Sequence, residues 1–292
     1  MANSHNWITP YEKRINSALG SLLPDDDSIL SKAIRYSVLN GGKRLRPLLV
    51  YLSSELGNSS PEAQDSVSCA VELIHCYSLI HDDLPSMDDD SLRRGMPTCH
   101  KEFGEAVAIL AGDAIQPMAY YSLTNSKEIE DKHKVSLVSL LAEACGQNGM
   151  VEGQILDISE NKSLSIEDLD YMHSKKTGSL IKTCLEMGGL ISYLPEQEIN
   201  LLSEYGEKVG LAFQIRDDII DLQSPTEISG KTQGADILQK KITYPNLIGM
   251  ERAKKRTIEL CEEAQETVKK LSGDSTKSVS YTHLTLPTNR EV

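Results

Sequence analysis

The chain has 292 residues, 39% hydrophobic and 25% charged, the mixture of a folded protein rather than a disordered one. Thirty Lys and Arg against 43 Asp and Glu leave a net charge of −13, which weighs against nucleic acid or an anionic membrane surface as partner. No apolar run approaches the roughly 18 residues of a spanning helix, the start MANSHNWITPYEKR lacks a signal-peptide layout, and six scattered cysteines without a C-x-x-C pair suggest neither disulfides nor zinc, so a cytoplasmic protein is expected.

Apolar residues recur at three- and four-residue spacing almost throughout, and period-two alternation is hard to find; the expectation is an all-α protein of about ten helices. In chain order, LLPDDDS marks a first connection, and GNSSPEA a second, with Ser60 as N-cap and Pro61 at the first helical position. Val67, Ala70, Val71, Ile74 and Ser78 then trace one helical face. RRGMPT reads as a loop, Asp113 in AGDAIQ as a helix cap, and NSKEIEDK, SENKSLSIED, SYLPEQE and QSPTEISGK as further connections. Gln154 and Asp157 lie one turn apart, with a cavity-facing role open. Ala212, Ile215, Ile219 and Leu222 trace another face. No linker divides the chain. Helical periodicity is lost in SGDSTKSVSYTHLTLPTNREV, so one domain over 1–277 and a tail over 278–292 are expected, the tail being disordered or foreign; SVSYTHLTLPTNREV resembles a translated sequencing adapter.

Two acidic clusters interrupt apolar helical stretches. In FQIRDDIIDL, Asp217 and Asp221 stand nearly above one another on a helix, with Asp218 beside them and Gln214 one turn earlier. Like charges so placed repel by several tenths of a kcal/mol per pair, leaving two readings: a solvated acidic face, or a site where carboxylates hold a hard cation such as Mg2+. In HDDLPSMDDDSLRRG, Asp82 and Asp88 are six residues apart, about 240° around an unbroken helix. They converge only if the helix stops, and Pro85 is placed to stop it. Basic sets accompany the acids: Lys43, Arg44 and Arg46 in GGKRLRP, then Arg93 and Arg94, then HSKKTGS and GKTQGADILQKK. A polyphosphate needs both, since Mg2+ bridges it to carboxylates while Arg and Lys contact the remaining oxygens. Neither a P-loop nor an EF-hand pattern is present.

The ordered motifs GGKRLRP (41–47), SLIHDDLPSMDDDSLRRG (78–95), KTGSL (176–180), FQIRDDIID (213–221) and GKTQGAD (230–236) resemble the trans-isoprenyl diphosphate synthases, most closely their bacterial farnesyl-producing members. The resemblance covers roughly 10–275. It implies one all-α domain around a central cavity, usually in a homodimer, and condensation of an allylic diphosphate (dimethylallyl or geranyl) with isopentenyl diphosphate. Implied metal ligands are Asp82, Asp83, Asp88 and Asp217, supported by Asp218 and Asp221, holding three Mg2+. Arg93, Lys176 and Lys231 are implied to neutralise the allylic diphosphate, with Lys241 a weaker candidate and Thr177 and Gln214 as polar contacts. Lys43, Arg46, His75 and Arg94 are implied to hold isopentenyl diphosphate. The implied catalytic set is Asp82, Asp83, Arg93, Lys176, Asp217 and Lys231. Tyr77 and Ser78, about 6 to 7.5 Å before Asp82 along a helix, match positions forming the cavity floor, and the large Tyr77 points to a C15 product. Geranyl or geranylgeranyl products are the alternatives, then a terpene cyclase, whose second motif normally carries Asn, Ser or Thr, and Glu, or a non-catalytic subunit, which tends to lose one Asp motif. His81 is expected to be structural, Asp89 and Asp90 have no assigned role, and adjacent Cys99 and His100 lack the partners of a metal site. After about Lys277 the sequence departs from the last helix and basic tail usual in this family.

Overall fold

Ser60 caps its helix as its sequence position predicts: its hydroxyl accepts from the Ala63 N–H at 3.2 Å, with Pro61 beginning the helix. The computed structural model describes residues 7–159, 164–223 and 242–273; Lys231, Lys241 and the 278–292 tail lie outside the described residues. Among those described, the helices are α1 (Thr9–Leu22), α2 (Ile29–Leu39), α3 (Leu45–Ser54), α4 (Pro61–Asp82), α5 (Cys99–Phe103), α6 (Glu105–Thr124), α7 (Asp131–Cys145), α8 (Met150–Ile158), α9 (Ile166–His173), α10 (Ser179–Ile191), α11 (Glu196–Gln223), α12 (Tyr244–Ile248) and α13 (Met250–Val268). The fold is all-α, as expected.

Helix α4 runs through the middle, packed against α1, α2, α3, α6 and α10. Thirteen of its 22 residues are buried, so it is covered on more than one face, unlike a one-sided surface helix. Leu73 and Ile74 are fully enclosed, each contributing about 1.5–3 kcal/mol of apolar burial. Helix α10 packs against α3, α7 and α11, and α11 against α13. Helices α9 and α10 are joined without a break through a π-helical turn, Ser174–Gly178. Such wide turns occur mostly as single insertions in α-helices, often at functional sites.

One sequence expectation is refined and one corrected. RRGMPT, read as a connection, does join α4 to α5, and it does so as the heart of a hairpin, β1 (Leu92–Arg93) paired antiparallel with β2 (Met96–Pro97). Its turn holds Arg94 at φ 54° and Gly95 at φ 77°, both positive as a type I′ turn requires. Two-residue strands are too short for alternation to register. Asp113 lies in the interior of α6 and caps nothing; the helix starts eight residues earlier, at Glu105.

Candidate active site

Helix α4 ends at Asp82, with Asp83 as its C-cap, and the chain then doubles back so that the Asp88 N–H donates to the Asp82 carbonyl at 2.9 Å. The break expected near Pro85 therefore occurs, and it brings Asp82 and Asp88 together. These acids sit at the negative end of the helix dipole, an unfavourable place for anions. Burial, with Asp88 and Asp83 adding to it, pushes Asp82 up to about 6, while Lys176 and Arg93 act in the opposite direction.

The hairpin places Arg93 beside this helix end. Its guanidinium grips Asp83 through Nη2 and through Nε at 3.1 Å, and reaches Asp90 at 3.2 Å. Burial opposes the charge on Arg93, but these hydrogen bonds and charges raise its pKa above the ordinary arginine value. Asp83, expected among the metal ligands, is buried and held by Arg93, and the same guanidinium engages Asp90.

The π turn supplies the opposite wall. Lys176 Nζ donates to Asp157 at 2.6 Å, and its charge acts on Asp82. Thr177 donates to the Gln214 side chain at 2.9 Å, tying the turn to α11. Two close approaches make this possible: a Cβ on Gly153 of α8 would stand 2.6 Å from Lys176 Cβ, and one on Gly210 of α11 would stand 2.8 Å from the Gly178 Cα. Gln214 passes its amide N–H to Asp218 Oδ1 at 3.1 Å, while Asp218 Oδ2 accepts the backbone N–H of Tyr244 at 3.0 Å. His173 Nε2 lies 3.5 Å from the same oxygen, and its ring stacks on Tyr244.

The three acids of α11 consequently do not share one face. Asp217 is exposed, whereas Asp218 is only 3% exposed and turned into the protein, because 100° of helical rotation separates them. Asp218 is a brace between α11, the π turn and α12. Asp82, Asp88, Asp217 and Asp221 offer carboxylate oxygens, the donors a hard cation such as Mg2+ takes, and at Asp82 burial and the neighbouring acids disfavour an uncompensated negative charge. Among the described residues no three His, Cys, Asp or Glu groups form a cage by themselves.

A second basic set lies around His75 of α4. Lys43 is exposed, and Arg46 Nε is buried with no hydrogen-bond partner among the described residues. Arg94 donates to the Gly41 carbonyl and lies against Gly42, where a Cβ would come within 2.6 Å of Nη2. The double glycine is the seat of that guanidinium. His75 faces these arginines from α4, and burial together with Arg46, Arg94, Arg93 and Arg44 holds its pKa well below 6.5. It is a neutral group among cations.

Tyr77 is buried one helical turn and a residue before Asp82, edge-on to His81, while Ser78 bonds back to the His75 carbonyl at 2.9 Å. The His81 ring packs on Gly112 and its Nε2 lies 3.2 Å from the Ile109 carbonyl oxygen, a structural position as expected. Gln154 is buried beside the π turn, and neither of its amide atoms has a hydrogen-bond partner among the described residues. Asp157, Glu72, Asn16 and His173 support the site through contacts distant in sequence, which no spacing pattern announces.

The chain matches the polyprenyl synthetase family model over residues 27–280. It is 44% identical over 270 residues to the farnesyl diphosphate synthase of Escherichia coli (strain K12), covering 90% of each chain. It is 43% identical over 263 residues to geranylgeranyl pyrophosphate synthase 12, chloroplastic, of Arabidopsis thaliana, covering 88% of this chain and 72% of the relative. The fold superimposes on the geranyltransferase from Helicobacter pylori complexed with magnesium and isoprenyl diphosphate, with a TM-score of 0.85, 33% identity, and coverage of 98% of this chain and 97% of that one. The chain belongs to the polyprenyl synthetase family.

Proposed function

We propose that the protein is a prenyltransferase that joins dimethylallyl or geranyl diphosphate to isopentenyl diphosphate, giving mainly farnesyl diphosphate and releasing diphosphate. The observation that carries this reading is a pair of unlike anion sites. At one, Arg93 and Lys176 stand among carboxylates; at the other, Arg46 and Arg94 face His75, whose pKa they and burial depress, with exposed Lys43 on the same 41–46 segment. Two diphosphates bound in different ways fit that pair. A scaffold or a one-substrate cyclase needs only one such site or none.

In this reading Asp82, Asp88, Asp217 and Asp221 would hold Mg2+, three ions being the number the family resemblance implies, and the metal would supply electrostatic stabilisation to the departing diphosphate. Lys176 and Arg93 neutralise the same anion as the allylic C–O bond breaks, and Lys231 and Lys241 are assigned beside them. Thr177 and Gln214 orient the π turn and α11 against one another. Asp83 and Asp218 hold Arg93 and α11 in place. The isopentenyl double bond then attacks the allylic cation, and the released diphosphate takes the proton, so no side chain need act as base. Water must be excluded while the cation exists, since it would trap it.

The same reading takes 1–277 as the synthase domain and includes a homodimer, for which exposed Leu110 and Tyr121 on α6 and Val135 on α7 offer apolar surface. No helix among the described residues is long and apolar enough to cross a membrane. All six cysteines are free thiols, which suits a reducing cytoplasm.

Chromatography of the products formed from dimethylallyl and isopentenyl diphosphates with Mg2+ tests the assignment. A main C15 product is expected, and chelation should abolish diphosphate release. A main C20 or C10 product would reassign the chain to a geranylgeranyl or geranyl synthase. Diphosphate release without isopentenyl diphosphate would indicate a cyclase, and no release at all a non-catalytic subunit.

A further inference from the structure

Between Lys43 and Arg46 stands an arginine that the ligand cannot reach. Arg44 is 3% exposed, and each edge of its guanidinium is engaged inside the protein. Nε donates to Asn16 Oδ1 of α1 at 3.0 Å, Nη1 to Glu72 Oε1 of α4 at 2.6 Å, and Nη2 to the Val38 carbonyl of α2 at 2.8 Å. Three helices therefore fix one side chain. Glu72 is 1% exposed and lies three residues before His75, one turn away on the same face of α4.

The backbone explains why such a fixture is needed. Arg44 is left-handed, at φ 46° and ψ 37°, a conformation that costs a non-glycine residue about 1–2 kcal/mol. That turn lets Lys43 stay exposed while α3 starts at Leu45. Gly41 and Gly42, just before it, carry Arg94. Relaxation at Arg44 would thus move Lys43, Arg46 and the seat of Arg94 together. A buried ion pair is weak evidence for stability, since apolar side chains of similar volume often replace one without loss. What apolar side chains cannot supply is direction, which the guanidinium fork does.

We propose that Arg44 and Glu72 are positioning residues for isopentenyl diphosphate: their buried ion pair locks the 41–46 loop so that Lys43, Arg46 and Arg94 converge on one diphosphate. The proposal rests on the two-substrate reading above. An Arg44→Met, Glu72→Leu double variant removes one charge of each sign, so the net charge of the site is unchanged and only the lock is lost. Its KM for isopentenyl diphosphate should rise about tenfold or more, with the KM for geranyl diphosphate within about twofold of wild type and the melting temperature little changed. Asn16 is exposed, so Asn16→Ala should fold even if the double variant does not, and should raise the isopentenyl KM alone by about threefold. Unchanged KM values in a folded variant, or equal rises for both substrates, would overturn the positioning role while wild-type turnover leaves the functional reading standing. A wild-type chain that consumes no isopentenyl diphosphate would overturn both.

Discussion

Gly42 and His75 show how single residues set the character of the second anion site. Gly42 has φ 108°, and its missing side chain leaves room for the Arg94 guanidinium. Gly42→Ala should both strain the loop and displace that cation. A loss of one charged hydrogen bond corresponds to a rise of about tenfold in KM for isopentenyl diphosphate, measurable by steady-state kinetics with the allylic substrate saturating; an unchanged KM would show that Arg94 does not depend on this seat. His75 is held neutral by its burial and by Arg46, Arg94, Arg93 and Arg44, which face it from α3, the hairpin and the loop before α3. Because its folded pKa is depressed, the unfolded chain binds the proton more readily. Its contribution to stability is present above about pH 6.5 and is lost as pH falls toward the folded value. An NMR titration should find the ring neutral well below pH 6.5, and His75→Gln should flatten the acid side of the stability profile; a midpoint at or above 6.5 would refute the inferred environment. Tyr77 acts by size: Tyr77→Ala should lengthen the product by one or more C5 units, and unchanged length would remove Tyr77 from the cavity floor.

At the scale of elements, the π turn and the hairpin do what regular helices cannot. The wide turn shifts the phase of α10 relative to α9, and from within it Lys176 meets Asp157 and Thr177 meets Gln214. The turn is pressed against α8 at Gly153, so Gly153→Ala should overpack the contact and shift Lys176. A misplacement of about 1 Å costs on the order of 100-fold in rate, so kcat should fall by one to two orders of magnitude, with a lower melting temperature seen by circular dichroism. Wild-type values of both would mean that the α8 contact is slack. The hairpin performs the same service for two arginines, sending Arg93 to Asp83 and Arg94 to Gly41 from adjacent positions.

For the whole molecule, a net charge of −13 coexists with a site built for anions. Eight acids, Asp82, Asp83, Asp88, Asp89, Asp90, Asp217, Asp218 and Asp221, belong to the two clusters. Two of them, Asp83 and Asp218, are buried and tied to Arg93 and to Gln214 and Tyr244, so part of the acid excess builds the site's scaffold. The exposed apolar residues of α6 and α7 belong to this scale too. Light scattering coupled to gel filtration should return twice 32.2 kDa; a monomer would reject the homodimer.

Sequence alone determined the fold class, the α4 cap at Ser60, the break after Asp82 and the pairing of acidic with basic motifs. Each of these depends on local geometry: 3.6-residue periodicity, cap chemistry, or the restriction that proline imposes, all set by residues within a few positions. Only the tertiary structure decided which charge meets which. Arg44 to Glu72 spans 28 positions, Lys176 to Asp157 spans 19, and Arg93 to Asp83 spans ten. Periodicity carries no information across such gaps, because partner choice among like carboxylates depends on how helices cross and on which oxygens burial leaves within about 3 Å.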